Sequence, residues 1–479
     1  MNIRAVGERQ AVWLITALAA IGRLAHLWQP MRYDESITWA YFVGRSWSTV
    51  VSSYQFPNNH VFFSLLAKAT SGLAPFQPWA LRLPAFVAGV AIVPLTWAVG
   101  RRFASPTVGL IAAALAAGSA SLVLYSVNAR GYSLVVALFL ALLLLADRLR
   151  TSTRFVDWAM LSALGAIGLY TIPVMLYPLG IVATWLLLAT ARAPAVERSR
   201  QVGRVLASCA VAGAIAAVLY LPIIRVAGIG ALAGNRFVAP SPWPVFLADL
   251  PRHAAETLIA WTSPLPWWSA PFVLILALLG ARRTVPGERP SVAAATLLWC
   301  GVLLALTHRT PFVRVWLFLL PLFLLAVSRG AVRVARRSRL AALAANVPLA
   351  SAAIAAVMVT LMLLSRAVTT SDDTGAFRGA RSATALMATQ LRPGDRVLAP
   401  IPTNGPLLYY FSAAGLDTAL LNTPPEATRR AYLVLEPSKG RTLEWAVKVG
   451  MIDPALFGEP SLLMRDTEFE LWRTERRQR

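Results

Sequence analysis

Residues 132–147 read YSLVVALFLALLLLAD, and RLRTSTR follows at 148–154. The first stretch has the length and apolarity of a helix that crosses a bilayer. The second carries Arg148, Arg150 and Arg154, a basic cluster of the kind that marks a cytoplasmic loop. The same couple recurs along the chain. Basic marks stand at Arg4 and Arg9, Arg101-Arg102, Arg192–Arg204, Arg282-Arg283 and Arg329–Arg339. With every cluster on the cytoplasmic side, spans fall in pairs between them: 107–125 with 132–147, 155–171 with 173–190, 205–227 with 269–281, and 291–307 with 313–328. A first span at 11–27, one at 80–99 and a last at 340–364 complete an all-α polytopic membrane domain of about eleven helices.

Composition agrees. Of 479 residues 57% are hydrophobic and 14% charged, and the mean hydropathy is +0.60. A soluble domain has too little interior to hide that much apolar surface. In hydrocarbon the backbone must satisfy its own hydrogen bonds, which Leu/Ala/Val runs do as helices and not as barrel strands. The formal charge of +23 sits in short clusters between apolar runs, a pattern of membrane topology and not of nucleic-acid binding. Cys209 and Cys300 lie inside apolar runs, without disulfide or metal-site spacing. The N-terminus has signal-peptide features, but the many later spans favour an uncleaved first helix.

Two long segments face the extracytoplasmic side. Residues 28–79 form the first. Within it 60–75 reads as a helix along the membrane surface, because it is short, holds His60 and Lys68, and is followed by Pro75 and Pro78. Residues 228–268 form the second, with Trp243, Trp261, Trp267 and Trp268 suited to the interface. The membrane domain ends near residue 366, and 367–479 reads as a small soluble α/β domain. There Asp395–Leu398, Tyr432–Leu435 and Glu468–Trp472 are expected strands, and Pro406–Ala414 and Leu443–Val449 expected helices.

On this topology only Asp34, Glu35, Asp249 and Glu256 of the membrane domain's acids face outward. Asp34 and Glu35 are adjacent within Arg32-Tyr33-Asp34-Glu35-Ser36. Neighbouring carboxylates beside a low-dielectric region repel and lose hydration, so they persist where something uses them. The plainer reading makes Asp34 the N-cap of a helix over Ser36–Phe42. His60 is either a packed or capping residue or part of the same site. Arg130, in the tight turn Asn128-Ala129-Arg130-Gly131-Tyr132, is out of place by the charge rule. Outward cations also include Lys68, Arg225, Arg236, Arg252, His308, Arg309 and Arg314. An arginine grips phosphate with paired hydrogen bonds, and the bland alternative is snorkelling to lipid head groups. A carboxylate, several cations and a hydrophobic surround fit a substrate with a phosphate and a long lipid tail. No phosphate loop, dinucleotide fingerprint or HExxH motif is present.

Tyr33-Asp34-Glu35-Ser36, Pro57-Asn58-Asn59-His60, Leu81-Arg82-Leu83-Pro84 and Ala129-Arg130-Gly131-Tyr132 together resemble the membrane glycosyltransferases of the GT-C superfold. The branch most similar is that of the bacterial relatives of protein O-mannosyltransferases and aminoarabinose transferases, family 39-like. The layout similarity covers most of residues 1–330. The resemblance implies a long first outer loop with two interface helices, a polyprenyl-phosphate sugar as donor and Asp34 as catalytic base. The soluble tail differs from the larger domains of several relatives, which leaves the acceptor open as lipid, glycan or protein.

The expectation is therefore an inverting glycosyltransferase of the plasma (inner) membrane. Asp34 and Glu35 are its catalytic acids, with Glu35 either orienting Asp34 or binding acceptor. Arg130, Lys68, His60 and Arg314 bind the donor phosphate, and Tyr33, Asn59 and Tyr132 touch substrate. No cofactor is expected; a divalent metal bridging Asp34 and phosphate is the alternative to the cations. The rival function is a transporter or flippase of a lipid-linked or anionic solute, which calls for broken helices and repeated halves; neither is read from the sequence. A scaffold acting through 367–479 is a third reading.

Overall fold

The computed structural model describes residues 3–191, 193–234, 238–281, 291–337, 346–421, 423–424 and 427–477. Arg192, Arg236, Arg282-Arg283, Arg339 and the first residues of the span expected at 340–364 lie outside the described residues. The chain divides into two compact units. One comprises Met1–Leu27, Trp47–Leu73 and Trp79–Thr369; the other comprises Trp28–Ser46, Ala74–Pro78 and Thr370–Arg479. Part of the first long loop thus belongs with the C-terminal unit, because residues 31–34 hydrogen-bond to it.

Among the described residues, seven helices are long and apolar enough to cross a membrane: Gly7–Leu27, Pro78–Phe103, Tyr132–Leu149, Pro173–Thr190, Ala195–Ala227, Val313–Arg336 and Val347–Ser365. Two bent pairs, Pro106–Gly118 with Ala120–Ser126 and Trp243–Thr262 with Trp267–Ala281, bring the number to nine if each is one span. Phe155–Thr171 and Val292–Thr307 are shorter apolar helices. With these, every expected span has a helical counterpart, and the chain is a multi-pass membrane protein. Val61–Ser71, with 11 residues, is too short to cross.

Tyr132–Leu149 is central to its unit, with 67% of its apolar window buried; Ala195–Ala227 and Val347–Ser365, at 28%, leave most of theirs for lipid. Lipid gives apolar side chains little reason to leave it, so close packing selects small residues. A Cβ on Gly280 would stand 1.8 Å from Ala326 O, and one on Gly330 would stand 1.9 Å from Leu276 O. Helices Ala270–Ala281 and Leu320–Arg337 touch backbone to backbone there. At the arginine-rich helix ends, Asp147 is bridged by Arg102 and Arg150, and Asp157 lies 3.1 Å from Arg148. These two acids pair with three of the arginines in the clusters at 101–102 and 148–154.

Both breaks differ from expectation. The span expected at 107–125 bends by 62° at Ser119, whose backbone is extended. Arg23, fully buried, donates from Nη1 to Ala117 O (3.0 Å) and from Nε to Ser126 Oγ (3.2 Å). A cation at the C-terminal end of the half-helix meets the negative end of its dipole. The Ala120 N–H beyond the break donates to Ser263 O (3.1 Å). The second difference lies in 228–268, expected to be loop. It contains the helix Trp243–Thr262, which turns by 107° into the expected span. Its charges hid it: Arg252 pairs along the helix with Asp249 (3.3 Å) and Glu256 (3.9 Å).

In the other unit, β1 (Asp395–Leu398), β2 (Arg430–Leu435), β3 (Ser461–Arg465) and β4 (Glu470–Glu475) form a mixed sheet of order β1-β2-β4-β3. β1 runs parallel to β2, and β4 is antiparallel to both β2 and β3. Helix Asn404–Ala413 lies in the β1–β2 crossover. Central β2 is buried from Ala431 to Leu435 and packs with Leu398, Ala446, Ile452 and Phe457. Register partners Asp395 and Arg430 form a two-bond fork of 2.9 and 2.6 Å. β3, an exposed edge strand, was not expected: its residues lack a buried alternation.

Candidate active site

The expected site residues fall into two groups, one in each unit. Tyr33, Asp34 and Glu35 belong to the unit that contains the sheet. They open a short helix, Tyr33–Thr38, which continues as a π turn over Trp39–Val43. The cap differs from the plainer expectation. Arg32 is the N-cap, so Asp34 is the second residue of the first turn. The capping carboxylate is that of Glu35, whose Oε1 accepts the Arg32 N–H at 2.8 Å. Glu35 is fully buried, while Asp34 is 8% exposed. The adjacent acids therefore divide the work: Glu35 fixes the helix start, and the Asp34 side chain is not the cap.

This helix is fastened to residues 371–376. Arg32 and Ala376 form an antiparallel bridge, the Tyr33 N–H donates to Gly375 O (2.8 Å), and the Asp34 N–H donates to Thr374 O (3.1 Å). The Arg32 guanidinium donates to Ser371 O (2.7 Å) and Asp373 O (3.0 Å). Tyr33 sits against two glycines. A Cβ at Gly405 would stand 2.5 Å from the Tyr33 ring, and one at Gly375 would stand 2.7 Å from Tyr33 Cβ. Gly375 also has φ +71°, a backbone state that favours glycine. Trp39 packs edge-on to Tyr409 at 5.1 Å.

In the membrane unit, His60, Arg130, Tyr132 and Arg314 come together. The Gly131 N–H donates to His60 Nδ1 (2.9 Å), and Arg130 Nη1 donates to Asn58 O (3.3 Å). Two short segments, Asn58–His60 and Arg130–Gly131, thus hold each other. With Nδ1 an acceptor, the hydrogen of the neutral imidazole sits on Nε2. Burial, reinforced by the Arg130 and Arg314 charges, holds the His60 pKa well below its usual value. The ring of Tyr132 stands edge-on to His60 at 5.3 Å, and its hydroxyl accepts from Arg314 Nε (3.2 Å). The Arg130 guanidinium lies 5.9 Å from the Tyr132 ring centre. Burial raises the Tyr54 hydroxyl to about 12, against the pull of Arg130. The cluster presents two guanidiniums and one neutral N–H donor, a set that suits an anionic oxygen-rich group.

The other expected residues are placed differently. Asn59 is fully buried. Its Nδ2 donates to Val50 O (2.9 Å) and Ser53 O (2.8 Å), and its Oδ1 accepts from Ser64 Oγ (2.9 Å). That geometry braces the loop and leaves its amide no donor for substrate. Lys68, half-buried, lies over the Trp47 ring at 5.4 Å. Arg82 of the Leu-Arg-Leu-Pro motif donates to Leu27 O (2.8 Å), the last residue of the first helix. Sequence reasoning missed Arg23 and residues 371–376, the first because one arginine inside an apolar run carries no pairing signal. Among the described residues no group of three or more His, Cys, Asp or Glu side chains is placed to hold a metal ion.

The chain has the fold of the GT-C membrane glycosyltransferases. ArnT from Cupriavidus metallidurans in the apo state is similar over 96% of this chain and 97% of its own, at 12% identity and a TM-score of 0.61. The same protein bound to undecaprenyl phosphate is similar over 96% and 97%, at 14% identity and 0.58. The Archaeoglobus fulgidus oligosaccharyltransferase tethered with an acceptor peptide containing the NVT sequon is similar over 97% of this chain and 74% of its own, at 12% identity and 0.52. At these identities the likeness is one of fold. No family model matches the sequence, and no curated protein does.

Proposed function

We propose that the protein moves a sugar from a polyprenyl-phosphate carrier to an acceptor hydroxyl on the extracytoplasmic face of the plasma membrane, inverting the anomeric carbon. The observation that carries this reading is the fold, shared over nearly the whole length of both chains with a protein bound to undecaprenyl phosphate. The acceptor oxygen attacks the anomeric carbon as the bond from that carbon to the phosphate oxygen breaks. Asp34 takes the hydroxyl proton. Aspartate is a weak base, which suffices when bond-breaking runs ahead of attack and the sugar is oxocarbenium-like. The departing polyprenyl phosphate gains a negative charge. Arg130 and Arg314 stabilise it, with the His60 Nε2–H as a neutral donor. The carrier already holds the activated bond, so no nucleotide is consumed. Lys68 has a subordinate part, and Asn59 acts through the loop it braces.

Transport of a lipid-linked solute is the second reading, and the two broken spans favour it. Against it, the first break is sealed on both sides, by Arg23 and by Ser263 O, where a transport site would hold its solute. Reconstituted protein should transfer sugar from an undecaprenyl-phosphate donor, and Asp34→Asn should lower turnover at least about a hundredfold, in line with loss of a general base, with donor affinity within about twofold. Full turnover by that variant removes Asp34 as base.

A further inference from the structure

The short helix that carries Asp34 is hydrogen-bonded through its backbone to one strip of chain, residues 374–376. That strip is held in turn by a lysine far along the sequence. Lys439 Nζ donates to Ala376 O at 2.8 Å and lies 3.5 Å from Asp372 Oδ1. The lysine is fixed by Glu436, 2.8 Å away at Oε1. Glu436 is 1% exposed, and its Oε2 accepts from Thr403 Oγ1 (2.6 Å) and Arg441 Nη1 (2.7 Å). A buried carboxylate with three donors, one step beyond the central strand β2, is a rigid post. The chain of contacts runs from β2 through Glu436 and Lys439 to Ala376, and from there to the Arg32, Tyr33 and Asp34 backbone.

We infer that Lys439 is a positioning residue for the catalytic base, Asp34, so that the C-terminal α/β unit sets the geometry of catalysis and is not an appended domain. This rests on the reading of Asp34 as the base. A general base must meet its proton within hydrogen-bond reach, and a misplacement of about 1 Å costs on the order of a hundredfold in rate. Losing the Lys439 bond frees the Ala376 carbonyl and loosens the strip that orients Asp34. The tight fit of the Tyr33 ring against Gly405 holds the same helix through a second contact.

The test uses the full-length protein in lipid nanodiscs. Lys439→Met should speed amide hydrogen exchange in the peptide over residues 31–38, where the Tyr33 and Asp34 N–H groups bond to Gly375 and Thr374, and leave the peptide over 61–71 unchanged. With undecaprenyl-phosphate mannose and the other undecaprenyl-phosphate sugars as donor probes, kcat should fall about tenfold with KM unchanged, and Lys439→Arg should restore most of it. In an Asp34→Asn background Lys439→Met should cause no further loss. Arg378→Ala breaks the 2.6 Å ion pair to Glu468 in the same unit, and its kcat should stay near wild type. If Lys439→Met does not fold, Gly405→Ala, whose Cβ would displace the Tyr33 ring, should give the same exchange and kcat pattern. Unchanged exchange over 31–38, or faster exchange with unaltered kcat, overturns the inference. Full turnover by Asp34→Asn alone overturns the reading of Asp34 instead, and leaves the exchange result standing.

Discussion

At the scale of single residues, His60 is kept neutral within the cationic cluster. Its Nδ1 is occupied by the Gly131 N–H, and burial with two nearby guanidiniums disfavours a second proton. The sign of the linkage follows. Unfolded, the imidazole takes up a proton near 6.5; folded, it does so only well below. As pH falls below 6.5 the unfolded chain binds more protons, so the stability from this site is complete above 6.5 and declines beneath it. The apparent Tm should therefore drop between pH 7 and pH 5, and His60→Asn, which keeps an acceptor for Gly131 and cannot ionise, should flatten that drop. An equal drop in both proteins would refute the assignment. Arg130 offers a second check. Arg130→Ala should weaken binding of undecaprenyl phosphate about tenfold, or about 1.4 kcal/mol; unchanged affinity by tryptophan fluorescence or calorimetry would reduce Arg130 to a support for Asn58. The prominence of Asp34, Arg130 and His60 was legible in the sequence, because scarce charged residues at loop positions stand out against an apolar background. Which carboxylate caps the helix was not. Capping depends on where the helix starts, and the start at Tyr33 is imposed by hydrogen bonds to residues more than three hundred positions away.

At the scale of elements, the spans were legible because each needs its own apolar run, while their breaks were not. Ser119 lies among the small residues Gly118 to Ser121 of an apolar run, and its bend is stabilised by Arg23 from the first helix and by Ser263 just beyond a later one. Nothing local to 107–125 announces those partners. The helix Trp243–Thr262 was hidden by its charges and by Pro251, although ion pairs along its own face satisfy the charges. Packing between spans gives a sharp prediction. Gly280→Ala puts a Cβ against the fixed backbone of Ala326. The overpacking should cost about 1–3 kcal/mol and lower the thermal midpoint in detergent. Gly213→Ala, where no atom from outside its own turn lies within 4 Å of the new Cβ, should not lower it. Equal midpoints would mean that the two helices do not meet as described.

At the scale of the whole molecule, the chain combines a membrane unit with an α/β unit, and the acid motif belongs by its contacts to the second. Hydropathy falls after about residue 366, and the contiguous C-terminal part of the second unit begins at Thr370. Assigning 28–46 to the C-terminal unit was beyond reach, because its backbone and Arg32 side chain bond to carbonyls more than three hundred positions away, which nothing local announces. The account stands or falls on chemistry at a lipid-phosphate donor. The direct measurement is a single turnover in vesicles with an undecaprenyl-phosphate sugar labelled at its anomeric carbon, followed by NMR. The account predicts undecaprenyl phosphate released one for one with a product of opposite anomeric configuration, and release slowed at least about a hundredfold in Asp34→Asn. Retained configuration, or intact donor carried across the bilayer with no bond broken, would contradict it.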